Sequence, residues 1–350
     1  MDTPFEKPRL PAALSTLAIG SVPYADPGTA LDLMAENLDI PASPQMVRVS
    51  PHEDMILGAV HGLPALAVDP DLNVRVDPGA VEEALARFYG TYLTGDLAPF
   101  ALGEESSLGF EAFIERAGAD PSFGRRYLKS QVVGPLTFGQ AVKIPGGKSL
   151  VDNPDLLEAV STAIGAKAAW LALRIRATGR APLIFIDEPG LTGYGSAFST
   201  LSPQMVIDSL GTAVRVAQER GGALVGCHVC GNTDWGLLSR VGLDVLNFDA
   251  HAYLGTVCLY PREMGAFLEG GGALAFGVVP TNAEGPPEGP GALAAMVREG
   301  WANLSSKGVD PVLLAERTYV TSSCGLGSLD PGRATAILGT IPRVARLLKG

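Results

Sequence analysis

The sequence predicts an α/β fold, a (β/α)8 TIM barrel that carries an N-terminal insertion or cap. Short β-branched runs alternate with amphipathic helix patterns, which is typical of parallel strands joined by crossover helices. Several of these helix patterns begin with a capping side chain followed by proline, the arrangement that starts a helix most readily. The length of 350 residues suits a barrel with insertions. An open, doubly wound sheet is the alternative.

Seven strands are predicted, and an eighth is expected within residues 40–75. The segment 36–126 breaks the alternation with many prolines and weak helix patterns, so we interpret it as the insertion or cap. The whole chain, 1–350, is predicted to form one domain. The seven predicted strands are Leu17–Gly20, Tyr127–Val133, Leu183–Ile186, Ala223–His228, Val245–Phe248, Leu274–Val278 and Thr318–Thr321.

Three helices have clear start signals in the sequence. Asn153 and Pro154 begin a helix that is expected to run to about Thr178, and Asp330 with the proline after it begins the C-terminal helix. A third helix is expected to begin at 202–203 and to end near 221. In each case proline occupies the first helical position, where its missing N–H has no partner to lose.

Composition excludes several classes of function. A net charge of −11 disfavours nucleic acid or an anionic membrane as the main partner. The first residues lack the apolar core of a secretory signal, and no uncharged apolar stretch of about 18 residues is present. Four cysteines in 350 residues argue against a disulfide scaffold and for a reducing compartment. We therefore expect a cytoplasmic protein.

A candidate metal site stands out in the run from Cys227 to Asn232. His228 and Cys230 lie two residues apart at the end of a predicted strand, so both side chains point to the same face. Cys324 lies just after another predicted strand, and the carboxyl ends of barrel strands meet at one mouth. Together the three side chains form a soft nitrogen and sulfur set.

The remaining candidates near this site are weaker. Cys227 points to the opposite face and is expected to pack, although a redox pair with Cys230 stays open. Cys258 is expected to be a buried apolar side chain. Asp249 also follows a predicted strand, where a carboxylate either binds a metal or caps the next helix.

The ligand types indicate the metal and its chemistry. Thiolates are soft donors and select zinc (Zn2+) over magnesium or calcium. Two thiolates nearly cancel the zinc charge, so such a site generates hydroxide poorly. It still lowers the pKa of a bound thiol and leaves its sulfur nucleophilic. The set therefore favours alkyl transfer to sulfur over hydrolysis.

Five short motifs resemble the catalytic half of cobalamin-independent methionine synthase. That half is a zinc (β/α)8 barrel related to uroporphyrinogen decarboxylase and to corrinoid-dependent thiol methyltransferases. The likeness covers roughly residues 15–345 and keeps the order of the motifs. The motifs are Ile19-Gly20-Ser21-Val22-Pro23, Gly134-Pro135-Leu136-Thr137, Ile186-Asp187-Glu188-Pro189, His228-Val229-Cys230 and Cys324-Gly325-Leu326.

The resemblance implies a role for each matching position. It implies zinc ligation by His228, Cys230 and Cys324, with Asp249 at the position of the family's fourth, carboxylate ligand. It implies that Asp187 holds the ammonium group of homocysteine, for which a helix cap or a buried ion pair is the alternative. The segment Ile19, Gly20 and Ser21 matches the part of the family site that meets the amino-acid carboxylate.

Three departures from the family pattern bear on the methyl donor and on the substrate. The chain has no room for the family's second, folate-binding half. The position of the family's catalytic histidine falls near Asn282, which cannot shuttle a proton. The glutamate that the family adds to its amino-acid site has no clear match. We therefore expect a zinc enzyme, like the short "core" methionine synthases, in which zinc holds homocysteine as a thiolate and the methyl group comes from a methylated corrinoid protein.

Other readings remain open at this point. The thiol acceptor could be another small thiol such as coenzyme M. A lyase like uroporphyrinogen decarboxylase would need arginines at the barrel mouth, and the only adjacent basic pair, Arg125 and Arg126, precedes a strand. A zinc-stabilised binding protein without catalysis is the third alternative.

Overall fold

A curled parallel sheet lies at the centre of the protein. The computed structural model describes residues 5–144, 146–196, 199–282 and 288–350. Within this part β1 and β2 form a separate antiparallel hairpin, whereas β3 to β8 pair in sequence order and are parallel throughout. The strands are β1 Leu66–Val68, β2 Val74–Val76, β3 Tyr127–Val133, β4 Ala181–Asp187, β5 Leu224–Val229, β6 Val245–Phe248, β7 Ala273–Val279 and β8 Thr318–Ser322.

Two extended segments close this sheet into a barrel. Thr16 bridges β8 at Val320, Leu17 bridges Ile40, and the residues after Ile40 continue to β3, where Ser43 N donates to Lys129 O at 2.8 Å. The predicted α/β barrel is therefore confirmed, with its first two wall positions in the expected regions. They form isolated bridges and not continuous strands, because prolines 41 and 44 lack the N–H that a ladder requires.

Helices surround the barrel, and the three predicted start sites are confirmed. Side-chain oxygens of Asn153, Ser202 and Asp330 each accept the backbone N–H three residues on, at 3.2, 3.1 and 2.9 Å. The helices are α1 Pro27–Asn37, α2 Val81–Leu93, α3 Leu108–Ala119, α4 Pro135–Ala141, α5 Pro154–Ala177, α6 Pro203–Gly221, α7 Trp235–Leu238, α8 Ala250–Val257, α9 Pro261–Glu269, α10 Pro290–Ser306, α11 Pro311–Glu316 and α12 Pro331–Lys349.

The long apolar helix α5 belongs to the core. Among the described residues it is the one helix whose length and composition would suffice to cross a membrane. However, 83% of its most apolar window is buried inside the protein. It packs against β3, β4 and α6. Its apolar character is therefore explained by burial between the sheet and a neighbouring helix.

The barrel interior is apolar at the bottom and polar at the top. Leu183, Phe185, Leu224, Val245 and Tyr319 belong to one inner cluster, and each is at most 1% exposed. The Phe185 ring fills the barrel beside glycine 226, where an added Cβ would lie 2.3 Å from a ring carbon. The inward-facing side chains nearer the carboxyl ends of the strands are polar. The barrel therefore carries its chemistry at its carboxyl-terminal mouth.

Residues 46–126 leave the barrel wall and return to it as a layer that contains the β1–β2 hairpin, α2 and α3. Lys167 on α5 holds this layer from below and is fully buried. Its Nζ donates to the carbonyl oxygens of His61, Phe100 and Ala101 at 2.8, 3.2 and 2.7 Å. Burial lowers the pKa of Lys167 to about 7. Three acceptors match the three N–H groups of an ammonium, so these hydrogen bonds oppose the effect of burial.

Replacing Lys167 with methionine should loosen the layer formed by 46–126. The substitution keeps the apolar stem but leaves three inward-facing carbonyls without a donor, so we expect a loss of about 2–3 kcal/mol in the free energy of unfolding. Urea denaturation followed by circular dichroism measures this change. The exposed Lys148→Met is the matched control and should stay within about 0.5 kcal/mol. Equal behaviour of the two variants would contradict the role of Lys167.

Candidate metal centre

Strand β5 delivers two of the candidate ligands to the barrel mouth. Alternation along the strand sends Cys227 into the outer core, where it is 1% exposed, and His228 inward, where it is 3% exposed. Cys230 follows the last strand residue and is half-buried. Parallel pairing puts His228 beside Asp187 on β4 and beside Asn247 on β6. One register thus aligns three polar side chains around the mouth.

The ligand atoms of His228, Cys230 and Cys324 come together at this mouth. Each residue contributes one donor atom, and all three donor atoms lie within 4.8 Å of one another. Tetrahedral zinc with bonds of about 2.3 Å to sulfur separates two thiolates by about 3.8 Å. The spacing in the protein therefore suits a single shared ion, and the donor types suit zinc.

His228 is oriented as a metal ligand is expected to be. Its Nδ1 lies 2.5 Å from Asn247 Oδ1. Its Nε2 is buried and has no hydrogen-bond partner. A buried nitrogen without a partner costs free energy in a folded protein, and a metal ion at this position would remove that cost. This orphaned atom is the observation that best supports a metal in the site.

The ionisation of Cys230 and that of Cys324 depend on each other. A hydrogen bond from Cys324, together with the charge of the neighbouring His228, outweighs burial and lowers the pKa of Cys230 to about 4. The same hydrogen bond, together with burial, raises the pKa of Cys324 well above its usual value. Cys230 is therefore a ready thiolate, while Cys324 is held as a thiol by its charged neighbour. A divalent cation would favour the thiolate form of both cysteines.

Asp249 lies outside the group of three converging ligands. Its Oδ1 accepts the N–H of Ala252 at 2.9 Å and so caps α8. Burial raises the pKa of Asp249. The carboxylate thus performs the helix-capping role that was the alternative to metal binding at this position. Its assignment as the fourth ligand stays a prediction.

Asp187 ends β4 beside the cluster and is 6% exposed. Its Oδ1 is buried without a hydrogen-bond partner. Burial raises the pKa of Asp187 to about 6, and the cation of Lys129 acts against that rise. An unpaired carboxylate oxygen at the mouth is a natural acceptor for a cationic ligand group.

Lys129 was not anticipated, although a lysine inside an apolar strand is a signal that the sequence contains. It is fully buried, and its Nζ donates to Ile19 O and, at 3.1 Å, to Gln131 Oε1. The same nitrogen lies 4.5 Å from the centre of the Phe185 ring. Burial lowers the pKa of Lys129 to about 8, and Asp187 acts against this. Lys129 therefore supplies positive charge below the unpaired carboxylate.

The predicted binding segment Ile19, Gly20 and Ser21 lies against the turn that carries Cys324. Ser21 O accepts the N–H of Leu326 at 2.9 Å. Gly20 has a φ of +151°, and an added Cβ would meet the Gln131 carboxamide carbon at 2.3 Å. Any other residue would displace the Gln131 carboxamide and strain the backbone, so glycine suits this close approach of the segment to the site region.

Asn282 lies after β7 near the same turn. The residue before it, Thr281, uses its backbone N–H and its hydroxyl to contact Ser323 Oγ, at 3.1 Å in each case. Thr281 Oγ1 also lies 3.4 Å from Asn282 Oδ1. Asn282 thus neighbours the Cys324 turn, while residues 283–287 are outside the described part of the chain. That Asn282 occupies the position of the family's catalytic histidine stays a prediction.

Glu188 is a further buried acid that the residue pattern did not single out. It points away from the mouth, and its carboxylate accepts the N–H groups of Leu136 and Thr137 at 3.0 and 2.7 Å. Burial raises the pKa of Glu188 to about 7, against these hydrogen bonds. It anchors the start of α4 and is not available to a ligand at the mouth.

A cavity beside Asp187 separates the barrel wall from the layer formed by 46–126. Gln131 and Ser130 line it from β3, and Glu53 lines it from the layer. The layer thus forms one wall of the space next to the unpaired carboxylate. Room for a small polar ligand group exists at this end of the site.

Comparison with one solved structure supports the fold, and the other comparisons add no function. No family model and no curated protein matches the sequence. A B12-independent methionine synthase from a Shewanella species, solved with selenomethionine, matches with 16% identity and a TM-score of 0.57, over 97% of this chain and 98% of that chain. A β-mannanase from Alicyclobacillus acidocaldarius matches with 12% identity and a TM-score of 0.46, over 97% and 98%. These solved structures are barrel enzymes, and at such identities the likeness shows the fold alone.

Removing one ligand should abolish tight zinc binding. We expect the purified protein to hold about one zinc per chain, and Cys230→Ala or Cys324→Ala to lower zinc affinity by more than about 100-fold, since even outer partners of a ligand account for 10–100-fold. Chelator competition and elemental analysis measure this. Cys227→Ala is the matched control, because Cys227 is buried in the outer core, and it should retain the metal. Zinc loss in the control as well would argue against the assigned ligands.

Proposed function

We propose that the protein is a zinc-dependent S-methyltransferase whose acceptor is a small aminothiol, homocysteine in the first instance, and whose product is methionine. The observation that carries the proposal is the proximity of two features. One is the buried His228, Cys230 and Cys324 donor set, and the other is the unpaired carboxylate oxygen of Asp187 beside it. Together they match a ligand with a thiol at one end and an ammonium at the other.

The donor set supports chemistry at sulfur. Zinc bound by one imidazole and two thiolates lowers the pKa of a bound thiol and keeps its sulfur electron-rich. Near-neutral charge at the centre makes it a weak source of hydroxide, which argues against hydrolysis. The position of Cys230 and Cys324 at the end of the barrel leaves the substrate side open to the mouth.

Asp187 supports an acceptor that carries an ammonium group. Its free oxygen provides a charge-assisted hydrogen bond, and Lys129 below it favours the ionised carboxylate. The turn at Ile19 to Ser21 lies at the same mouth, against the Cys324 turn. Coenzyme M has a sulfonate and no ammonium, so the buried carboxylate disfavours it.

The proposed methyl donor is chosen by asking whether its leaving group must be protonated. The thiol first loses its proton to solvent, the sulfur lone pair then forms the new S–C bond, and the bond between carbon and donor breaks with both electrons retained by the donor. Cob(I)alamin leaves without protonation, whereas the nitrogen of a folate must be protonated. Asn282 has a carboxamide, which cannot deliver that proton. We therefore propose a methylated corrinoid protein as donor.

The other reactions considered for this barrel have less support. A decarboxylase that grips propionates needs arginines at the mouth, whereas Arg125 and Arg126 precede β3, at the opposite end of the barrel. Glycoside hydrolysis uses two carboxylates that flank the scissile bond. Here Asp187 and Glu188 are consecutive and face opposite ways, and Glu188 is occupied by the start of α4.

Methyl transfer is tested by incubating the zinc-loaded protein with homocysteine and methylcobalamin, free or protein-bound, and measuring methionine. Methyl-folate in place of methylcobalamin should give no product. The His228→Ala protein, which lacks a ligand, should be inactive. Absence of methionine with every corrinoid form would refute the proposal. Tight zinc binding without thiol access, together with unfolding of His228→Ala, would instead indicate a structural metal.

Asp187→Asn should weaken binding of the amino acid specifically. The substitution keeps the shape but removes the charge that pairs with the ammonium, so we expect KM for homocysteine to rise about 10- to 100-fold with a smaller change in kcat. A simple alkyl thiol that lacks the amino group serves as the matched control substrate, and its turnover should be nearly unchanged. Equal effects on both thiols would mean that Asp187 does not bind the ammonium.

A further inference from the structure

Asn247 makes the contact that fixes His228. It lies on β6, is fully buried, and pairs in register with His228 on β5. Its Oδ1 lies 2.5 Å from His228 Nδ1. Its Nδ2 donates to Ala275 O at 2.9 Å and to Thr321 Oγ1 at 3.0 Å. Both N–H groups of the carboxamide therefore donate a hydrogen bond, and its oxygen has a partner in His228.

The orientation of this carboxamide is determined by its surroundings. A backbone carbonyl can only accept, so the NH2 group must face Ala275. Thr321 uses its hydroxyl hydrogen on Ser322 O at 2.8 Å, and its oxygen is then left to accept from Asn247. A flipped amide would place two oxygens against each other at Ala275. Only an acceptor can therefore face the imidazole.

The consequence is a single neutral form of the imidazole. Because Asn247 Oδ1 accepts, the proton of neutral His228 must be on Nδ1. The lone pair is then on Nε2, the buried atom that has no partner within the protein. A metal-binding histidine needs this combination, since its second ring nitrogen donates to a fixed acceptor.

We propose that Asn247 is the positioning residue of the metal centre, which selects the tautomer and the ring orientation of His228 through a carboxamide clamped by β7 and β8. This inference rests on the proposed zinc site and adds a residue that does not touch the metal. The clamp also reaches the third ligand, since Ser322 Oγ donates to Cys324 O at 2.8 Å. Hydrogen bonds at the adjacent residues Thr321 and Ser322 thus connect the ligand segments of β5 and β8.

The test is zinc affinity measured by competition with a chromophoric chelator in wild-type protein and in variants. Asn247→Leu keeps the number and branching of the side-chain heavy atoms but removes the acceptor, and zinc affinity should fall about 10- to 100-fold. Thr321→Val removes one arm of the clamp and should give a smaller fall. Thr318→Val is the matched control, because its hydroxyl bonds Leu314 O at 2.7 Å at the opposite end of β8, and its affinity should be that of wild type.

A conservative variant separates positioning from structural support. Asn247→Asp keeps an acceptor for Nδ1 but turns an oxygen toward Ala275 O, so its folding stability should fall while its zinc affinity stays within a few-fold of wild type. In metal-loaded protein, long-range 1H–15N spectra should show a proton on His228 Nδ1, shifted downfield in wild type and in Asn247→Asp but not in Asn247→Leu.

The outcomes distinguish this inference from the proposed function. Wild-type protein that binds no zinc would overturn the metal site itself. Wild-type protein that binds zinc tightly, together with unchanged affinity and an unchanged Nδ1 proton signal in Asn247→Leu, would overturn the role of Asn247 alone. Equal losses of zinc affinity in Asn247→Asp and Asn247→Leu would also overturn it. Such losses would follow the loss of folding stability and would not depend on the presence of an acceptor for His228 Nδ1.

Discussion

The register of the parallel strands is the constraint on which the site depends. Pairing aligns Asp187, His228 and Asn247 on three successive strands, with their side chains directed into the same barrel mouth. Closure of the sheet through Leu17 and Ile40 then brings β8 and its following turn round to complete the set. No single segment contains the site, because each strand contributes one or two side chains and the barrel supplies their proximity.

The buried charged groups lie at different depths within the barrel. The aromatic ring of Phe185 fills the interior, the ammonium of Lys129 lies over that ring, and the unpaired carboxylate of Asp187 ends the neighbouring strand. Buried charges are costly unless they are compensated, and here a cation and an anion compensate each other without direct contact. The arrangement keeps an oxygen of Asp187 free for a ligand, where a direct ion pair would have occupied it.

Local signals in the sequence predicted much of this architecture, and tertiary contacts explain the remainder. The strands β3 and β6 and the starts of α5, α6 and α12 follow from patterning and capping, which depend on neighbouring residues. Lys129 and Asn247 were missed because their partners are fixed by strand register and lie far away in sequence. Asp249 could not be decided from the sequence, since a carboxylate after a strand suits both a metal and a helix cap.

Because side chains alternate along β5, metal binding would also stabilise the correct pairing of this strand. A slip of one residue in the pairing of β5 would turn Cys227 and Val229 inward and would remove His228 and Cys230 from the mouth. An ion that binds only the correctly paired chain stabilises that state by about 4 kcal/mol at a concentration 1,000 times its Kd. Metal binding would thus favour the correct strand register. It would also link the middle of the chain, at β5, to the turn after β8 near its end.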